Sequence, residues 1–229
     1  MAVANYAARA SWPTGFLIYE RGTAADGVFV VLRGRVVLRS RVRSGRGFVP
    51  WVATPGETFG AEGFSANALY ATDARADAET ETLFLSTPKL RAFVREQPSH
   101  ALVLIGQVMA ERTSLLEKLR ELTTLSVEQR LVAAIQRMAT HDGFLDRVGR
   151  VELCTSRFRL LCELVGATRE SVSLVLGRLA GEGLVERAGS TLFIAPTARL
   201  FERLSGRGDG VLLVQALADS NTTAPPAIQ

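Results

Sequence analysis

Cysteine, histidine and lysine are nearly absent from these 229 residues, with two of each. Cys154 and Cys162 are too few for a four-thiolate iron–sulfur cluster. Together with His100 and His141 they also match no usual zinc spacing. They read as small core residues, and no metal site or cofactor is expected. Lys89 and Lys118 are the only lysines, so the positive charge is almost all arginine, whose planar fork suits phosphate and guanine. A GC-rich genome would leave the same bias, and the net charge is only +4, so composition alone does not decide the partner. No apolar run approaches the ~18 residues that span a bilayer. The opening MAVANYAARASWPTG lacks a signal-peptide core. A cytoplasmic protein without a membrane partner is expected. At 47% hydrophobic residues the chain is globular and long enough for two cores.

The densest information lies in LLCELVGATRESVSLVLGRLAGEGLVER, residues 160–187. Leu160, Leu161 and Leu164 mark the apolar face of one short helix, and Gly166 relaxes the backbone at a turn. Thr168 is placed to cap a second helix, whose buried stripe is Val172, Val175, Leu176 and Leu179. Arg169, Glu170 and Ser173 fall on the opposite face. The layout is a helix-turn-helix offering base-reading groups near the start of its second helix, which points to double-stranded DNA. GLVERAGSTLFIAP then reads as two short strands around an Ala-Gly-Ser turn, forming a wing.

Residues 16–86 alternate apolar and polar positions in short runs broken by glycine, which predicts an antiparallel β-roll. Arginines crowd positions 33–46, and Glu57, Glu62, Asp73, Asp77, Glu79 and Glu81 crowd a later segment. After Pro88 the period becomes helical. KLRAFVREQP is a short helix, and Ser99 to Thr124 forms one long helix of about 39 Å. Ala101, Ile105, Val108, Arg112, Leu115, Leu119 and Leu122 recur at alternating steps of four and three, a heptad seam that predicts a parallel homodimer. Arg112 interrupts that seam, and Glu111 or Glu117 of the other protomer is its candidate partner. The fold class is therefore α+β: a β-roll over 1–98, a dimerisation helix over 99–125, a winged helix-turn-helix over 126–204 and a partly disordered extension over 205–229.

Taken in this order, the segments resemble the CRP/FNR family of bacterial transcription factors over about residues 16–204, most specifically through VGATRESVSLVL and PGETFGAEG. The resemblance implies a regulator that binds a palindromic site and meets RNA polymerase. It places the base-reading positions on Arg169, Glu170 and Leu174. Ser173 can reach a base edge or a phosphate, and Thr155, Arg157 and Arg159 flank the first helix as candidate phosphate contacts.

The same resemblance puts Gly56 and Glu57 where cyclic AMP-binding members meet the ribose. The family's phosphate-gripping Arg-Ser pair falls on Tyr70 and Ala71, and its adenine-reading Thr-Ser pair on Leu115 and Leu116. A gap would move Arg75 into the phosphate role without restoring the helix pair. A buried cyclic phosphate needs a cation and donors, so control by cyclic AMP is not expected. The alternative is a regulator switched by a different small ligand, such as a cyclic dinucleotide, bound by the β-roll or the dimer helix, with Arg39, Arg41 and Arg43 on one strand face as candidate phosphate grips. Against it stands a solvated strand edge. An enzyme is not expected, because GETFGAEG lacks the Lys-Ser/Thr ending of a phosphate loop.

Overall fold

The computed structural model describes residues 6–41, 47–140 and 144–201. Arg43, Arg46, His141 and the extension over 205–229 lie outside these residues, and for Arg41 only the backbone is described. The chain forms two compact units that divide after Leu119. That boundary falls inside the long helix and not at its ends.

The first unit opens with eight strands: β1 (Ala8–Trp12), β2 (Leu17–Tyr19), β3 (Gly27–Arg33), β4 (Val36–Arg41), β5 (Gly47–Ala53), β6 (Thr58–Phe59), β7 (Asp73–Ala76) and β8 (Thr80–Ser86). They make two four-stranded sheets, ordered β1-β8-β3-β6 and β2-β7-β4-β5. Every strand pairing is antiparallel. Phe29, Val31, Val36, Leu38, Phe59, Tyr19 and Tyr70 fill the core. This is the expected β-roll.

Two departures from the alternating pattern have physical causes. β1 lies ahead of the predicted strands because ARASW keeps an exposed edge and is held by its ladder to β8 rather than by an apolar face. In β4, Val36, Val37 and Leu38 are buried in succession, so the strand is covered on both faces. Ion pairs join neighbouring strands within each sheet. Buried Arg35 donates from Nε to Asp77 at 2.8 Å, and Arg9 pairs with Glu81.

A 3-10 turn, Ala61–Phe64, follows β6. A Cβ on Gly63 would stand 2.2 Å from the carbonyl oxygen of Gly27, so the turn and β3 touch backbone to backbone. Helix α1 (Thr87–Glu96) carries Pro88 in its first turn, where a missing N–H costs nothing, and buries Leu90 and Phe93. Helix α2 (Ser99–Thr124) is the predicted long helix.

In the second unit, α3 (Val127–Thr140) begins with a reciprocal capping box. The Ser126 N–H donates to Gln129 Oε1 at 3.0 Å and the Gln129 N–H to Ser126 Oγ at 3.2 Å. Then follow β9 (Val151–Leu153), α4 (Thr155–Val165), α5 (Arg169–Gly181), β10 (Val185–Ala188), β11 (Thr191–Ile194) and a last turn α6 (Ala198–Phe201). The three strands form one sheet ordered β10-β11-β9. Leu131, Ile135 and Met138 of α3 pack into a core with Leu160, Leu161, Val172 and Leu179 of the helix pair. Truncating one such leucine to alanine costs about 2–5 kcal/mol. Glu121, near the end of α2, is buried and receives both Nη atoms of Arg137, which anchors that turn to α3. Cys154 and Cys162 are free and half-buried rather than core residues, because one precedes α4 and the other lies at its rim.

Candidate nucleic-acid interface and the β-roll site

The reading end of the second unit is built by the α4–α5 turn. Helix α4 stops at Gly166, whose φ of 65° is the left-handed conformation that closes a helix. Its Cα also faces the flexible end of Leu122, which a Cβ would approach to 2.7 Å, so the left-handed φ is the main reason for glycine here. Thr168 then caps α5 as expected, its Oγ1 accepting the Ser171 N–H at 3.3 Å. With Val172, Val175, Leu176 and Leu179 buried, Arg169, Glu170, Ser173 and Leu174 are exposed on the far side of α5. Leu174 is 70% exposed, unusually bare for a leucine.

The Glu170 carboxylate is held below the ordinary range by its own backbone N–H, then by the Thr168 hydroxyl and the adjacent Arg169 charge. It is an ionised acceptor at any ordinary pH. The Arg169 guanidinium lies over the Phe158 ring, 5.3 Å from its centroid. On the same side of α4, burial pushes the Cys162 thiol up to about 11, against the opposing pull of the Arg169 charge.

Not every predicted contact is free. Arg157 donates from Nη1 to the carboxylate of Glu152 at 3.1 Å and to its carbonyl at 3.3 Å, so its head is held inside the domain. Thr155 and Arg159 are exposed. Arg150 bonds Asp146 at 2.9 Å and Glu186 at 2.8 Å while covering the Phe193 ring, which fastens the loop before β9 to the wing.

In the first unit, the residues compared with a nucleotide site are engaged within the protein. Glu57 accepts the Thr54 N–H at 2.7 Å and its hydroxyl at 2.9 Å, closing the turn that carries Gly56. Tyr70 is buried, stacks on Tyr19 with ring centroids 3.7 Å apart, and donates its hydroxyl to the Gly27 carbonyl at 2.8 Å. Burial, the largest influence, pushes its pKa up to about 12. The Ala71 N–H donates to Glu62 Oε1 at 2.9 Å. Arg75 donates from Nη1 to the Gly15 carbonyl at 2.8 Å.

From α2, Gln107 donates to the Gly56 carbonyl at 3.1 Å. Burial first, then the charges of Glu62 and Glu57, raises the pKa of Glu111. Glu111 thus lies near carboxylates of its own β-roll. Leu115 and Leu116 are exposed and carry no polar group for a base. Glu62, Tyr19 and Phe158 are the site residues missed in the sequence. Glu62 lies inside the quoted PGETFGAEG motif, whereas the contacts of Tyr19 and Phe158 join separate elements and leave no trace in spacing.

Ile105, Leu115 and Leu119 stand exposed along α2, as a seam requires, but Val108 and Leu122 are half-buried within the protomer. Leu102, Met109 and Leu116 are exposed in their place. The bare stripe thus runs Leu102, Ile105, Met109, Arg112, Leu116 and Leu119, again at steps of three and four. Among the described residues no helix is long and apolar enough to cross a membrane.

Comparison with known proteins matches the two units separately. Residues 9–97 match the cyclic nucleotide-binding domain family, and residues 129–203 match the Crp-like helix-turn-helix domain family. The cyclic AMP receptor protein of Thermus thermophilus is 31% identical over 198 residues, covering 86% of this chain and 88% of its own. A CRP-like cAMP-activated global transcriptional regulator of Mycobacterium tuberculosis is 23% identical over 197 residues, covering 84% and 86%. Among solved structures, the c-di-GMP-responsive global regulator CLP of Xanthomonas campestris superposes with a TM-score of 0.75 at 22% identity, over 86% of this chain and 97% of that one. A CRP/FNR-family regulator of Thermus thermophilus gives 0.73 at 23%, over 88% and 100%. These relatives are transcription regulators and not enzymes. The α+β architecture, the helix-turn-helix and a relative at this identity agree: the chain belongs to the CRP/FNR family of transcription regulators.

Proposed function

We propose that the protein acts in the cytoplasm as a homodimer that reads a palindromic DNA site and does not require cyclic AMP to do so. The observation that carries the DNA reading is the capped start of α5, where Arg169, Glu170, Ser173 and Leu174 stand exposed over a fully buried apolar stripe. In a major groove Arg169 donates to guanine N7 and O6, Glu170 accepts from cytosine N4, and Leu174 meets a thymine methyl. The exposed stripe of α2, from Leu102 to Leu119, supplies the dimer seam. Two copies joined there set their reading helices about 34 Å apart, one turn of the duplex. RNA polymerase is the expected protein partner at the promoter.

Independence from cyclic AMP is supported by the β-roll. The Ala71 N–H and Tyr70 hydroxyl already have partners, and Glu62 and Glu57 stand near Glu111, whose pKa is raised by burial first and then by their charges. A negative phosphate placed among them is repelled. The same charges oppose a cyclic dinucleotide at this position. Selection of duplexes from a random pool by the full-length protein, without added nucleotide, tests the proposal. Two inverted half-sites one helical turn apart are expected. A single half-site, or enrichment only with cyclic AMP present, contradicts it.

A further inference from the structure

We propose that Phe158 is a positioning residue for DNA reading: its ring holds the Arg169 guanidinium in the orientation in which it meets guanine. The inference deepens the proposed function and rests on Arg169 being a base-contacting side chain. Phe158 lies in the second turn of α4, half-buried, and Arg169 is the first residue of α5. Across the turn between them the guanidinium carbon sits over the ring at 5.3 Å from its centroid. That lies within the roughly 6 Å over which an aromatic face attracts a cation.

The contact suits a reading arginine for two reasons. A guanidinium held by its face keeps its N–H donors free at the edge, and the edge is what pairs with guanine N7 and O6. An arginine at a helix start also carries large rotamer freedom, which is lost when it grips a base. A ring that restricts it beforehand reduces that loss. Thr168, the preceding residue, caps the helix through the Ser171 N–H, so the backbone that carries Arg169 is held before DNA arrives as well. Phe158 lies in the first helix of the motif, and its effect on specificity is exerted wholly through Arg169.

The test uses the full-length protein and a duplex selected by it, paired with duplexes in which each base pair of one half-site is substituted in turn. Affinity ratios are read by fluorescence anisotropy. Arg169→Ala should abolish discrimination at one G·C pair. Phe158→Leu should reduce discrimination at that same pair by about 2–5-fold, the range an exposed cation–π contact supplies, and leave the other pairs and random duplex unchanged. Phe158→Tyr and Phe158→Trp should retain discrimination, since both keep an electron-rich face.

An unchanged ratio in Phe158→Leu, a gain in discrimination, or an equal loss at every pair overturns the positioning role. If Phe158→Leu does not fold, loss of discrimination in Phe158→Trp and Phe158→Tyr overturns it instead. Failure of Arg169→Ala to alter any single pair is a different result, and it removes the underlying assignment of Arg169.

Discussion

The carboxylate of Glu62 accepts the backbone N–H of Ala71 at 2.9 Å. An anion belonging to the chain thus occupies the amide that the family resemblance places at a nucleotide phosphate. Nearby, Glu57 closes its own turn through Thr54, and Glu111 arrives from α2. Three carboxylates, those of Glu57, Glu62 and Glu111, thus gather at this corner of the β-roll.

These carboxylates have a pH signature. Burial raises the pKa of both Glu57 and Glu111 in the folded state. A carboxyl that binds its proton more tightly when folded adds stability at low pH, and that contribution is lost as pH rises through the raised value. Glu111→Gln is expected to stabilise the protein at neutral pH and to flatten its stability between the ordinary carboxylate range and neutrality. Urea unfolding at a series of pH values measures this; a variant less stable than the parent at neutral pH contradicts it.

Glu170 is predicted to read rather than to cap. Glu170→Ala should cost about 1–3 kcal/mol at one base pair per half-site and leave binding to random duplex intact. Titrations against a set of single-substituted duplexes check it. Uniform weakening on every sequence would show that the carboxylate serves only the start of α5.

The turn glycine allows a stability prediction. Gly166→Ala must hold a left-handed φ of 65° and push a methyl group to 2.7 Å from Leu122. The backbone conformation costs about 1–2 kcal/mol, and the end of the Leu122 side chain has to move aside. Thermal unfolding of the full-length protein reads the loss.

The α2 stripe predicts the behaviour of a surface charge. Burying one leucine contributes about 1.5–3 kcal/mol, and two copies of Leu119→Glu would place like charges together as well. Sedimentation equilibrium should show the parent as a dimer and Leu119→Glu dissociating at concentrations where the parent does not. A parent that sediments as a monomer contradicts the seam.

The helix-turn-helix was legible almost residue by residue because its signals are local. A cap at Thr168, a turn glycine at Gly166 and a period of 3.6 in the buried stripe all act within a few positions. The heptad spacing of α2 was legible, but not which of its apolar residues are bare: Val108 and Leu122 are half-buried, while Leu102, Met109 and Leu116 are exposed. Two interleaved heptads share Ile105, Arg112 and Leu119, and only packing within the protomer decides which is bare. The β-roll was legible as a class and β4 as one of its strands, whereas β1 and the burial of β4 on both faces were not, since pairing and two-sided burial leave no period in sequence. Contacts that join distant segments, Glu62 to Ala71, Tyr19 to Tyr70 and Arg169 to Phe158, were invisible for the same reason.

One titration bears most directly on the central claim of a DNA-reading regulator that needs no cyclic AMP. The full-length protein is titrated into a fluorescent duplex chosen by selection, with and without saturating cyclic AMP, over a range of salt concentrations. The expected result is tight binding in both series, with coincident curves and affinity falling steeply as salt rises. Binding that appears only when cyclic AMP is added, or equal affinity for scrambled duplex, would contradict it.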